Sequence, residues 1–142
     1  MALRTLDQRR AAYAWDAVYG LTEGWREYRD LVRKLPAMIQ ANGLGQTLAF
    51  LMTNASKRVL YRHLEAWLCQ RAPAPVYPPD AGARPDLMRA LSQGDSLTLR
   101  RATREAQALA VWLKRFAEAR ENAALSAPAG DPAGTDATEG RS

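Results

Sequence analysis

The sequence has one cysteine, Cys69, and one histidine, His63. A single cysteine excludes an intrachain disulfide and a cysteine metal cluster. One histidine with no cysteine beside it leaves no ligand set for zinc. His63 and Cys69 are six residues apart, about 240° round a helix, so they do not form a Cys–His couple within it. Val and Ile are few, and no hairpin dipeptide separates alternating apolar runs, which argues against a sheet. Apolar runs such as "LAFLM" at 48–52 fall far short of the roughly 18 residues a spanning helix needs. The first ten residues, "MALRTLDQRR", are charged almost at once and contain no apolar leader core. A cytoplasmic protein without membrane association is therefore expected.

What the chain does have is arginine. Of its 20 basic residues 17 are Arg, and the formal net charge is +5. The charge is uneven. Residues 1–122 hold 19 Lys and Arg against 12 Asp and Glu, a surplus of seven, whereas residues 123–142 hold one Arg and three acids. Arginine's planar fork pairs bidentately with phosphate, so a polyanionic partner is one reading and a solvated arginine-rich surface the other.

Helical periodicity runs through the chain. One apolar stripe spans Leu3 to Leu21, with Arg10 inside it. A second helix is expected from an N-cap at Thr22, with Trp25, Tyr28, Leu31, Val32 and Leu35 inward. Arg26–Asp30 and Asp30–Lys34 are spaced as surface pairs. Pro36 cannot continue a helix without losing a hydrogen bond, so a break or kink is expected at Leu35–Pro36, with the second helix broken there. "ANG" ends the short helix that follows, and Ser56 is a candidate cap for a helix over 57–71. Residues 72–85 hold five prolines and read as an irregular connector. A short helix "DLMRALSQ" precedes the longest helix, expected over about 97–121 with Ser96 as its cap. The small, polar residues 123–142 read as a disordered tail. The architecture is all-α: one domain over 1–122, an antiparallel helical bundle of about five to seven helices. Trp15, Trp25, Trp67 and Trp112 fall on four different helices. A shared core is the economical account, and a base-stacking platform the alternative.

The stretch "NGLGQT" at 42–47 raises the question of a phosphate loop. No Lys follows in the turn, Leu48 replaces the third small residue, and a helix rather than a strand precedes. It reads as a corner between helices. The carboxylates suggest no acid/base pair, since Arg101–Glu105 and Lys114–Glu118 are spaced as surface ion pairs. Three basic groups stand out instead: Lys57, Arg58 and Arg62; Arg29, Arg33 and Lys34; and Arg100, Arg101 and Arg104. Like charges so spaced repel, and contact with phosphate would offset that cost.

The segments "RAAYAWDAV" at 10–18, "YRDLVRKLPAMIQANGLGQTLAFL" at 28–51, "YRHLEAWL" at 61–68 and "LRRATREAQALAVWLKRFAEA" at 99–119 resemble the small-subunit family of type III-B CRISPR (Cmr) RNA-guided effector complexes. The resemblance implies a small helical protein with no catalytic activity or cofactor of its own. It implies that copies stack beside the guide–target duplex and touch target RNA, backbone and large subunits, and one another. Leu99 stands where the resemblance associates a Tyr. Arg10, Lys34, Lys57, Arg58, Arg62, Lys114 and Arg115 are the candidate phosphate contacts, Lys114 and Arg115 through the "WLKRF" match. A purely structural adapter, its arginines paired with acidic partner surfaces, is the competing reading. A small helical enzyme or nucleotide binder is a third class that no motif supports.

Overall fold

The computed structural model describes residues 3–126, and among them every regular element is helical. The order is α1 (Leu6–Tyr19), α2 (Trp25–Leu51), α3 (Ala55–Ala66) continued by a π-helical turn (Trp67–Arg71), α4 (Leu87–Gln93) and α5 (Ser96–Ser126). α5 packs along both α1 and α2, and α3 packs on α2. α2 and α5 run antiparallel: Arg29 meets Glu121 near one end, and Pro36 meets Gln107 further along. Leu35, Leu48, Leu60, Leu64, Leu68, Leu109 and Leu113 are fully buried between them.

Local chemistry sets the helix ends. Thr5 and Gln8 form a reciprocal capping box that starts α1. The starts of the later helices differ by one or two residues from expectation. α2 begins after Gly24 in the left-handed region (φ 69°), not after Thr22. Asn54 caps α3 by accepting the Lys57 N–H, and Ser56 instead donates to Asn54. Asp95 caps α5 by accepting the Thr98 N–H, in place of Ser96. At each of these two sites two short polar residues lie close together, and the one whose oxygen reaches the third residue's N–H takes the role.

The expected break at Pro36 is corrected. α2 continues through Pro36, and the non-helical residue is Gly43 (φ 83°, ψ 161°). A mid-helix proline costs about 3 kcal/mol. Val32, Leu35 and Ile39 are almost wholly buried round it. Each such burial contributes roughly 1.5–3 kcal/mol, so packing wins. Gly43 lies in a region essentially reserved for glycine. It divides α2 into arms 25–42 and 44–51. Leu31 and Phe50 line one groove, although a straight helix would hold them roughly 28 Å apart. The chain therefore folds back at Gly43, and "NGLGQT" is the corner. Thr47, buried at its inner side, donates to the Gly43 carbonyl at 2.9 Å.

Two further expectations change. Only Trp67 is fully buried; Trp15 is 50% exposed, and Trp25 and Trp112 are half-buried. The four tryptophans do not share a core. The connector 72–85 is irregular as expected, yet it is pinned. Val76 and Tyr77 enter the core, and the Tyr77 N–H donates to Leu68 O at 3.0 Å. α5 continues to Ser126, because Ala123, Ala124 and Leu125 are good helix formers. The rest of the expected tail, 127–142, lies outside the described residues.

His63 sits where α3 meets α1 and α2. Its carbonyl accepts from the Tyr13 hydroxyl at 2.6 Å, and its Nδ1 lies 2.7 Å from the Tyr28 hydroxyl. Burial pushes its pKa down to about 4, so the ring is neutral at pH 7.

Gly43→Ala should cost about 1–3 kcal/mol in urea unfolding, because the backbone is strained for any side chain. At Gly45 an added Cβ would meet Leu91 at an ordinary 3.5 Å. Gly45→Ala should therefore be neutral or stabilising by up to about 1 kcal/mol. Equal costs would refute the corner at Gly43. The pH profile offers a second check. The unfolded chain takes up a proton on His63 below about 6.5, whereas the native state resists until about 4. Stability should therefore be complete above about pH 6.5 and fall through that window by up to about 3 kcal/mol. His63→Gln should flatten this limb of a pH–melting profile; an unchanged limb would assign it to other groups.

Candidate functional site

The candidate cations divide by what already holds them. Arg10 faces inward from α1. Its Nε and Nη2 donate to both Glu105 oxygens at 2.6 and 2.8 Å, and Nη1 reaches Asp7 at 3.2 Å. The same Glu105 accepts from the indole N–H of Trp67 at 2.9 Å. The Arg10 bonds, reinforced by the indole, hold the Glu105 carboxyl below its usual range against the opposing effect of burial. Arg10 needed a partner in its apolar stripe, and within the chain that partner is Glu105. The expected Arg101–Glu105 surface pair is absent.

Arg29 and Arg33 are likewise occupied. Both bind Glu121, Arg29 at 2.5 Å, and Arg33 also approaches Glu118 at 3.9 Å. Asp30 pairs with Arg29 and Arg33, not with Arg26 or Lys34, and Glu118 pairs with Arg33, not Lys114. Sequence spacing finds partners within one helix; these pairs mostly join α2 to α5, which no single-helix register can show. Arg120 escapes a sequence reading for the same reason. It donates to Val18 O and Leu21 O across the end of α1 and lies over the Trp25 ring at 4.7 Å.

The other candidates remain at the surface. Lys34 and Lys57 come together in a groove of about 570 Å³, where both arms of α2 meet the start of α3. Its floor includes Leu31, Met38 and Phe50, and its rim also carries Glu27 and Asp30. The Lys57 ammonium lies 5.1 Å from the Phe50 ring centre. Arg58 and Arg62 are exposed one turn apart on α3, and Arg58 donates to Met52 O at 2.9 Å. That bond satisfies a carbonyl at the end of α2 and fixes the stem of Arg58. Lys114 and Arg115 are not brought to this group. Lys114 shares its side of α5 with Gln107 and Glu118, which reach Pro36 and Arg33 of α2. Arg115 is exposed on α5 and precedes Phe116 in the chain. Leu99, where the resemblance suggested an aromatic contact, is half-buried against the core.

Reactive groups are scarce. Cys69 is buried, and burial pushes its thiol up to about 12. Among the described residues no group of three or more His, Cys, Asp or Glu is placed to hold a metal ion, and no helix is long and apolar enough to cross a membrane.

Fold and surface together define a small helical bundle whose outward chemistry is cationic. The chain matches the family model described as CRISPR-associated protein (Cas_Cmr5) over residues 6–120. It is 33% identical over 121 residues to the protein "CRISPR system Cmr subunit Cmr5" of Thermus thermophilus, covering 82% of this chain and 96% of that one. The crystal structure of a CRISPR-associated Cmr5 family protein from the same organism superposes with a TM-score of 0.67 at 32% identity, covering 82% of this chain and 97% of the other. The chain belongs to the Cmr5 family, the small subunits of type III-B CRISPR (Cmr) complexes.

The shared carboxylate should dominate single-site stability. Removing the charge from a largely desolvated pair strands its partner. Glu105→Gln, at the shielded pair with Arg10, should therefore cost about 2–4 kcal/mol in urea unfolding. Glu118→Gln, at a half-exposed and longer pair, should cost under about 1 kcal/mol. Similar costs for the two variants would contradict a structural role for Glu105.

Proposed function

We propose that this protein is a non-catalytic subunit that assembles in the cytoplasm with other type III-B subunits, including further copies of itself. In that setting it contacts the backbone of the crRNA–target RNA duplex through Lys34, Lys57, Arg58, Arg62, Lys114 and Arg115. Arg10 is left out, because Glu105 and Asp7 already occupy it. The observation that carries the reading is the exposed pair Arg58 and Arg62 on one side of α3, with no ion pair among the described residues. Guide pairing reads sequence, so a protein need only meet backbone and A-form shape, and arginines on a rigid helix suit that task. The non-catalytic reading is supported by the state of the lone thiol and imidazole: one is held protonated, the other is neutral and engaged by Tyr28.

A second reading, the structural adapter, is favoured by one feature. The groove at Lys34 and Lys57 carries both signs of charge over an apolar floor, which suits a protein surface better than a phosphate chain. The two readings compete for Lys34 and Lys57, whereas Arg58 and Arg62 belong to the RNA reading alone, so the readings separate experimentally. Arg58→Ala with Arg62→Ala should lower the slope of log affinity against log salt for an RNA duplex by between about one and two units. Phe50→Ala should leave that slope unchanged and weaken association with partner subunits. An unaltered slope in the double arginine variant would remove these two residues from the RNA face.

A further inference from the structure

Arg4, Arg9 and Arg71 line one pocket of about 220 Å³, and none of them is among the contacts proposed for the duplex. Arg4 precedes the Thr5 cap, Arg9 lies near the start of α1, and Arg71 closes the π-helical turn that ends α3. The Ala72 N–H reaches back to the Trp67 carbonyl at 3.1 Å and fixes that turn. The Arg71 guanidinium lies 5.3 Å from the centre of the Tyr13 ring, and Tyr13 packs on Trp67 at 5.0 Å. Both rings also line the pocket, and both are buried with their polar atoms taken. The Tyr13 hydroxyl donates to the His63 carbonyl, and the Trp67 indole donates to Glu105. The aromatic wall is therefore fixed, and the three guanidinium groups are the side-chain donors left for an occupant.

The charge in this pocket is not balanced from within. Asp16 is its one carboxylate, and none of the three arginines forms an ion pair with it or with any other carboxylate among the described residues. Glu105 lines the adjoining hollow that Arg4 and Arg9 share, but Arg10 already holds it. Three cations against one anion leave a surplus of two. Guanidinium groups so gathered repel one another, and an oxyanion accepting from more than one of them removes that cost. A phosphate monoester carries about −1.5 to −2 charges at neutral pH, whereas each diester of a nucleic-acid backbone carries one. The pocket is also smaller than the roughly 300–1,000 Å³ of sites that enclose a whole small molecule. It admits a phosphate group and leaves the carrier outside. We propose that Arg4, Arg9 and Arg71 form a site for a terminal phosphate, carried by the 5′ end of an RNA strand or met as the free ion. The RNA carrier rests on the reading that RNA is a partner; the phosphate site does not.

The full chain is titrated with one RNA oligonucleotide made with a 5′-phosphate and again with a 5′-hydroxyl. Its melting temperature is followed in inorganic phosphate against chloride at equal ionic strength. The phosphate-ended RNA should bind about tenfold tighter, the worth of a charge-assisted hydrogen bond. Inorganic phosphate should raise the melting temperature. Arg9→Gln with Arg71→Gln should abolish the RNA preference and reduce the thermal shift to the general effect of an excluded salt. Both residues are exposed, so circular dichroism of this variant should match the parent. Arg58→Ala with Arg62→Ala should weaken both RNAs and keep the tenfold difference between them. Equal binding of the two RNAs, with a thermal shift that the Arg9/Arg71 variant loses, supports the site with the free ion as its occupant. Equal binding together with equal thermal shifts in parent and variant overturns the site, and the backbone reading is then judged on Arg58 and Arg62 alone. A tenfold preference that survives in the Arg9/Arg71 variant also overturns it. If the parent binds neither RNA, the RNA carrier is refuted and the thermal shift alone decides the pocket.

Discussion

One carboxylate organises this fold. Glu105 on α5 receives a two-pronged guanidinium from α1 and an indole N–H from the turn that ends α3. Three segments distant in sequence are thereby fixed to one another. Tyr13 stacks on the same Trp67 at 5.0 Å and donates to the His63 carbonyl, so the polar clasp continues into the aromatic packing at the centre of the bundle. A carboxylate that accepts charge-assisted bonds from one side and an indole from the other is well satisfied, which offsets the cost of partial burial. α5 is positioned by this clasp at one level and by Glu118 and Glu121 at another.

These internal pairs shape the surface by subtraction. Residues 3–126 carry 19 Lys and Arg against 12 Asp and Glu. Three arginines, Arg10, Arg29 and Arg33, take up five carboxylates: Asp7, Asp30, Glu105, Glu118 and Glu121. Glu65, Asp86 and Asp95 are drawn to backbone N–H groups at the starts of α4 and α5. Folding therefore engages acids faster than bases, and the exposed remainder is more cationic than the composition. Arg58, Arg62 and Arg115 are in that remainder. The division leaves one set of arginines building the bundle and another free of ion pairs among the described residues, the set that the proposed function assigns to RNA.

Much of the fold is legible in the sequence because it rests on periodicity. The apolar stripes of α1, α3 and α5, the corner at "NGLGQT" and the irregular connector all follow from local rules. The departures have a common source. Pro36 breaks a helix by local rules, but the burial of Val32, Leu35 and Ile39 is a tertiary fact that outweighs them. Arg10 stands out in its apolar stripe as needing a partner, yet the partner lies 95 residues away. The tryptophans share apolar stripes, although a residue at a stripe's edge, as Trp15 is, emerges at the surface once the helices close. The candidate site is legible as a set of basic positions. Which of them are neutralised inside the protein depends on contacts between helices, and no spacing within one helix encodes that.

The division between structural and partner-facing arginines is the claim on which the functional account stands. Arginine-selective chemical modification, read residue by residue by mass spectrometry with and without bound RNA, tests it most directly. Arg58, Arg62 and Arg115 should react readily in the free protein and be protected when RNA is bound. Arg10 and Arg29 should react slowly in both states. Protection that falls on neither α3 nor α5, or fast reaction at Arg10 in the folded protein, would contradict it.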